Sequence, residues 1–387
     1  MIASIAPSWR FPATASVLAL RNLVHDRVRL IVTLVGVVFA VVLINVEVGL
    51  FLGFADATSE LVDHAGADLW IMPLDTRDVD QVQAISERKL YEALAVPGVR
   101  SAARLNVEFT DFKRPDGGMQ SVVVVGFDPA MGLGAPWNVV EGDIRSLRFP
   151  GTIMIDDFYR DKLGVTHLGQ IVEINGHRAR VVGFTHGIRS FTQSPYVFAS
   201  TTTALDYSRI RSDQTKYVLV SLLPGANIET VRAALKRVIT DVDVRTRAEF
   251  SRMTQIYWLF STGAGLALLV AAVMGLAVGI VVVSQTLYAT TVDHLPEFGT
   301  LRAMGASRQY IYRVIVRQAL LSAIVGYALG LLITLAIVYL AQDSGPAIVL
   351  PFWLASCMLV VTIAMCVIAA VISIRKVMLL DPGMVFK

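Results

Sequence analysis

Residues 293–307 read D-H-L-P-E-F-G-T-L-R-A-M-G-A-S and lie between two long apolar runs, 257–283 and 319–341. Pro296 and Glu297 suit the first turn of a helix. Proline lacks an N–H that the helix start has no use for, and the carboxylate complements the positive end of the dipole. Gly305 is suited to stop that helix and Ser307 to cap the next one. The spacing predicts a short helix, about 13 Å long at ~1.5 Å per residue. It is held at a membrane surface by two spans, with Phe298 and Leu301 on one face and Arg302 beside them. A plain interfacial loop helix is the competing reading of the same residues.

Working outward, the composition sets the class. The chain has 387 residues, 55% hydrophobic and 17% charged, with a mean hydropathy of +0.60. A soluble domain of this length is less apolar, so the balance points to a membrane. The formal charge of +3 comes without a basic cluster, which argues against nucleic acid as a partner. Both cysteines, Cys357 and Cys366, fall inside the last apolar run, so neither a disulfide framework nor a zinc site is expected; buried apolar packing is.

Residues 1–29 carry Arg10, Arg21, Arg27 and Arg29 against Asp26, and read as a cytoplasmic amphipathic helix. Residues 30–54 form a first apolar run, long enough to cross a hydrocarbon core of ~30 Å. A cleaved signal peptide is the rival, but the run is about twice the usual apolar core of a leader. Asn45 and Glu47 sit inside it. Glu47 reads as an interfacial residue near the far end, with a polar contact between helices as the alternative.

Residues 55–256 are the one large polar segment, with 23 Lys and Arg against 25 Asp and Glu. Alternating strand-like runs and a few helical ones predict a split α+β domain. A β-rich insert is expected over about 128–210. Asn175-Gly176 marks a hairpin, since both turn positions want positive φ. No catalytic constellation is legible. The six histidines show no metal-ligand spacing, and no Gly-x-Ser-x-Gly or phosphate-loop pattern occurs. Asp156-Asp157 reads as a solvated pair after a strand. An integral membrane enzyme is therefore disfavoured.

Further spans are expected at 257–283, where Tyr257 and Trp258 suit an aromatic belt, at 319–341 and at 352–374. Residues 247–256 read as helix, so the second span is expected to extend outward as a stalk. Basic residues gather in 1–29, in the loop 284–318 and in the tail 375–387, which places these three in the cytoplasm. The domain and the short turn 342–351 then lie outside. Gly49 and Gly53, Gly275 and Gly279, and Gly326 and Gly330 are spaced for close helix packing, within the subunit or at a dimer contact. The fold class is membrane α-helical, four transmembrane helices with a large extracytoplasmic α+β domain between helices 1 and 2.

The segment E-F-G-T-L-R-A-M-G-A-S resembles the coupling-helix element of MacB/FtsX-type ABC transporter permeases. The one-plus-three arrangement of spans resembles that family's layout, and the tail I-R-K…L-D-P its ending. The lead-in Asp293-His294-Leu295 is closer to the DevC-like branch than to MacB proper. The resemblance implies a transport subunit without its own cofactor. ATP and magnesium would be bound by a separate ABC ATPase, present in two copies against a homodimer of this chain. Glu297 and Arg302 would pair with the ATPase surface, Phe298 and Leu301 would fill its groove, Gly299 and Met304 lie in the same coupling element, and Gly305 would end it. It further implies a periplasmic adaptor, an outer-membrane channel, contact with membrane lipid and an inner-membrane location, for export of lipid, glycolipid, peptide or drug. An FtsX-like regulator of a cell-wall hydrolase and a lipoprotein-releasing permease are the alternatives within the resemblance.

Overall fold

The computed structural model describes residues 27–80, 82–192, 194–293, 300, 307–341 and 348–378. They divide into two compact units. One holds the described residues up to Gly53 and from Ala267 onward; the other is Phe54–Leu266.

The first unit is a bundle. Helix α1 (Arg27–His64) enters it and runs on into the second unit. Among the described residues, four helices carry stretches long and apolar enough to cross a membrane: Leu30–His64, Gly263–Thr286, Tyr312–Ala341 and Phe352–Ile372.

The second unit is built on a sheet. Its strands are β1 (Leu69–Pro73), β2 (Ile85–Ser86), β3 (Val99–Lys113), β4 (Met119–Phe127), β5 (Val139–Gly142) and β6 (Thr152–Asp156). They continue with β7 (Ile171–Ile174), β8 (His177–Thr185), β9 (Tyr196–Ser200), β10 (Gln214–Thr215), β11 (Tyr217–Leu222) and β12 (Val242–Thr246). Between them lie α2 (Arg88–Leu94), α3 (Arg160–Leu163), α4 (Thr201–Tyr207), α5 (Ile228–Val238) and α6 (Arg247–Ile256). One sheet runs β12-β1-β11-β3-β4-β9-β6-β8-β5, with β7 bridging β3 and β8; β2 and β10 form a separate pair. Most neighbours are antiparallel, but β4–β9 and β6–β8 are parallel. The segment 128–210 thus joins the same sheet through β9, and it contains α3, α4 and two 3-10 turns besides its strands.

The central strands β1, β4, β9 and β11 are largely apolar because both of their faces are buried. Trp70 and Met72 of β1, Tyr217 and Leu219 of β11, Val123 and Val125 of β4, and Phe198 of β9 share one core. Alternate residues point the other way. Leu69, Ile71, Val218 and Val220 meet α5 in a second core. Val122, Val124 and Val197 meet Leu163 and Tyr207 in a third. Leu61 and Val62 of α1, with Ala65 just beyond it, belong to the first core, which anchors the C-terminal end of that helix in this unit. There Trp70, Tyr217 and Phe250 pack with ring centroids 5.1 to 5.7 Å apart. Each such buried side chain contributes roughly 1.5–3 kcal/mol relative to exposure.

Helix α6 starts with a capping box between Thr246 and Glu249. It does not run on into the membrane as the stalk expected from the sequence. A π turn, Tyr257–Ser261, follows it, and Thr262 is extended at φ −106°, ψ 156°. The second membrane helix, α7 (Gly263–Asp293), therefore begins at Gly263 rather than at Tyr257. Gly265 is required at the break, because a Cβ there would lie 2.3 Å from the Leu259 backbone. Helices α8 (Arg308–Ala341) and α9 (Phe352–Met378) complete the bundle. Both α7 and α8 extend past the apolar runs, leaving less loop between them than the 284–318 read from composition. The N-terminal amphipathic helix expected at 1–29 lies outside the described residues but for its last three positions, which belong to α1.

Candidate functional site

The bundle is held by glycine contacts. A Cβ on Gly326 would lie 2.5 Å from Val37 Cγ1, and one on Gly330 2.7 Å from Val41 Cγ1, so α8 packs backbone-close along α1. On α7, a Cβ on Gly279 would lie 2.9 Å from Ala40, and one on Gly275 3.4 Å from Leu43. Gly49 sits where a Cβ would lie 2.7 Å from Ile348, and its carbonyl accepts from Val349 N at 3.1 Å. Gly53 is buried. Within one subunit, then, five of these glycines already meet a neighbour closely. Asn45, fully buried, has neither amide atom hydrogen-bonded among the described residues. Glu47 is half-buried, with its Cγ 3.9 Å from where a Gly275 Cβ would be. Cys366 is buried as expected, whereas Cys357 is exposed on the bundle and does not pack inside it.

The element between α7 and α8 is where the sequence places the contact with a partner. Glu297, Phe298, Gly299, Leu301, Arg302, Met304 and Gly305 lie outside the described residues. Thr300 is helical and exposed. Ser307 caps α8, its hydroxyl accepting from Tyr310 N at 3.2 Å.

Two polar clusters lie in the sheet unit. Asp156, 1% exposed, is not the solvated residue expected. Its Oδ2 accepts from Ile188 N at 2.8 Å and from Thr185 Oγ1 at 3.0 Å, and its Oδ1 from Phe158 N at 3.1 Å. Burial pushes its carboxyl up even so. Next to it, Asp157 pairs with His186 at 3.0 Å, a hydrogen bond that raises the exposed imidazole. The segment after β8 is thereby tied to the end of β6. It carries Phe191 onward between Phe54 and Trp258, with centroids 5.8 and 4.4 Å away. In the second cluster, burial and the neighbouring Asp78 charge push Asp80 up to about 7, against the pull of Lys216. Lys216 itself is ion-paired with Glu108. No group of three or more metal-ligating side chains is found among the described residues.

Comparison with known proteins decides the family. The family model of the MacB-like periplasmic core domain matches residues 30–238, and that of the FtsX-like permease C-terminal matches 269–382. The chain belongs to the MacB/FtsX-type ABC transporter permeases. Uncharacterized ABC transporter permeases from two strains of Mycobacterium tuberculosis, CDC 1551 and H37Rv, are each 24% identical to it over 390 residues. The alignments cover 95% of this chain and 98% of each relative. Among solved structures, the periplasmic region of MacB from Actinobacillus actinomycetemcomitans aligns at 10% identity with a TM-score of 0.39. It covers 50% of this chain and 96% of that one. The extracellular domain of the noncanonic ABC-type transporter YknZ from Gram-positive bacteria aligns at 14% with a TM-score of 0.35, over 46% of this permease and 99% of that chain.

The described polar clusters tie segments of the sheet unit together. Asp156 satisfies three donors, the Thr185 hydroxyl and two backbone N–H groups, and is closed to solvent. The sequence did hold the signal for its burial. T-I-M-I-D is a strand whose other residues are all apolar or small, and all five of its positions are buried. Asp78 and Asp80 gave no such signal, because D-V-D in a polar stretch is indistinguishable from a solvated loop.

Proposed function

We propose that this permease couples ATP hydrolysis by a separate ABC ATPase to motion of its sheet domain, and so drives export of lipid, glycolipid, peptide or drug. The observation that carries the reading is the E-F-G-T-L-R-A-M-G-A-S element, residues 297–307, between two helices long enough to cross a membrane. It falls within the stretch matched by the FtsX-like permease model. In this reading Glu297 and Arg302 pair with the ATPase surface, while Phe298 and Leu301 fill a groove on it. Two copies of the permease stand against two ATPases, which bind the ATP and magnesium. The termini and the 294–306 element face the cytoplasm and the sheet domain faces the periplasm of an inner membrane, where an adaptor and an outer-membrane channel receive the cargo.

The first experiment is a gentle pull-down of the tagged chain from its own membranes, followed by mass spectrometry. An ATPase with a periplasmic adaptor is expected. An ATPase with a peptidoglycan hydrolase or a second permease replaces export with one of the rival roles, and no ATPase at all removes the coupling reading. Glu297→Lys then tests the residue. A charge reversal at an ion-paired contact replaces attraction with repulsion. The variant is expected to reach the membrane in normal amount while losing at least tenfold in transport-coupled hydrolysis. Full activity would refute the assigned role.

A further inference from the structure

Strand β8 turns Arg178, Arg180 and Val182 to one side, since alternate residues share a face. Ala179 and Val181, between them, are buried in the opposite core. A 3-10 turn, Ile144–Arg148, covers part of the Arg-bearing face, burying Leu147 and packing Ile144 and Val182 against the Trp70 core. The turn ends before it reaches the arginines. What remains is an open groove of about 500 Å³, lined by Ser146, Phe149, Pro150, Ile171, Arg178 and Arg180 among others.

Its chemistry is two-sided. Phe149 is 67% exposed and Ile171 56%, large apolar surfaces with no cover among the described residues. Arg178 and Arg180 are exposed, about 7 Å apart along the strand at ~3.3 Å per residue. Neither forms an ion pair among the described residues. The acids on flanking segments are engaged elsewhere: Glu173, opposite Arg178, with Lys113 at 3.0 Å, and Glu141 with Arg160 at 3.8 Å. Both edges of β8 are occupied here, by β7 and β6, and Arg180 N already donates to Gly151 O at 2.7 Å. An added peptide strand therefore finds no backbone partners, and recognition falls to side chains.

We propose that this groove binds an anionic amphiphile, its carboxylate or phosphate head held by Arg178 and Arg180 and its apolar tail laid on Phe149, Pro150 and Ile171. Guanidinium groups grip planar oxyanions by paired hydrogen bonds, and the volume lies in the usual range for a small ligand. The size and the side-by-side apolar and cationic halves favour one compact ligand over a broad acidic protein surface. Naming this ligand as cargo rests on the export reading; the binding itself does not.

The test uses the full chain in phosphatidylcholine nanodiscs, with a diazirine-bearing fatty acid as probe and mass spectrometry to map the cross-links. Labels are expected on peptides containing Phe149–Gly151 and Ile171, and to fall at least tenfold in the Arg178→Ala/Arg180→Ala double variant. Labels on the membrane helices, which report bulk partitioning, stay constant as the internal control. The methyl ester of the probe is expected to leave the groove unlabelled. A lysophosphatidylglycerol competitor that displaces the probe shows that phosphate heads are accepted as well as carboxylates; failure to displace restricts the site to carboxylates, within the proposal. Equal groove labelling by the ester, retention in the double variant, absence of groove labels, or displacement only by an acidic decapeptide would each overturn it. No ATPase takes part, so the result is independent of whether the pull-down recovers one.

Discussion

At the scale of single residues, Asp80 carries the clearest consequence. It is buried, its Oδ2 lacks a hydrogen-bond partner among the described residues, and its folded-state value of about 7 stands above the ordinary 3.8. A carboxyl raised on folding contributes stability that is fully present below pH ~3.8 and is lost as pH rises through about 7. His186, raised by Asp157, adds to the same direction as pH climbs past its ordinary 6.5. Asp243 and Glu249 act oppositely but elsewhere. Burial pushes each up, hydrogen bonds led by Arg245 for Asp243 and by the Thr246 backbone for Glu249 outweigh it, and their contribution is lost only as pH falls into the acid range. The melting temperature of the full chain in detergent is therefore expected to fall from pH 5 to 7.5 and then level. Asp80→Asn should flatten that slope and melt higher than the unchanged chain at pH 8. A slope unchanged by the substitution would show that other groups set it. None of this was legible in the sequence, where Asp78-Val79-Asp80 has the composition of a surface loop; burial, which makes the group unusual, is a property of the folded sheet.

At the scale of elements, periodicity carried most of the information wherever one period governed a run. The hairpin at Asn175-Gly176 formed with both residues at positive φ, 48° and 80°. The alternating strand-like and helical runs of 55–256 likewise formed strands and helices, among them β4 (Met119–Phe127) and α5 (Ile228–Val238). The stalk failed for an identifiable reason. Residues 247–283 contain no proline, so nothing in their pattern announces the π turn. The break depends on Thr262 bonding back to Trp258 O and on the missing side chain at Gly265. Glycine spacing within the spans was more informative, because small residues let helix backbones approach where lipid offers no competing drive. Gly326→Leu tests that seam. A Cβ alone would stand 2.5 Å from Val37 Cγ1, so the larger side chain must part α8 from α1. Overpacking of this kind costs about 1–3 kcal/mol. The variant is expected to melt several degrees lower than the parent, while Gly263→Leu, at a position with nothing within 4 Å of a Cβ, should melt close to it. Equal losses in the two variants would mean the seam is no tighter than the rest of the helix surface.

At the scale of the whole molecule, the coupling proposal depends on sidedness, and sidedness depends on charge. Arg308, Arg313 and Arg317 at the start of α8 stand on one side of its apolar run, as Arg27 and Arg29 do at the start of α1. Cytoplasmic loops retain such residues, and the coupling proposal takes residues 294–306 to lie on the side where ATP is and the sheet domain on the other. Cysteine labelling tests this directly in a chain with Cys357 and Cys366 replaced by alanine. Met119→Cys, 61% exposed in the sheet domain, should react with a membrane-impermeant maleimide on intact cells. Gln309→Cys, exposed in the first turn of α8, should react only after the membrane is opened. The reverse pattern would put Glu297 and Arg302 on the side without nucleotide, and the coupling role would fall whatever the family. The expected pattern would leave the ATPase contact as the next link to establish, since the coupling proposal requires a partner that moves against residues 297–304 from the nucleotide side.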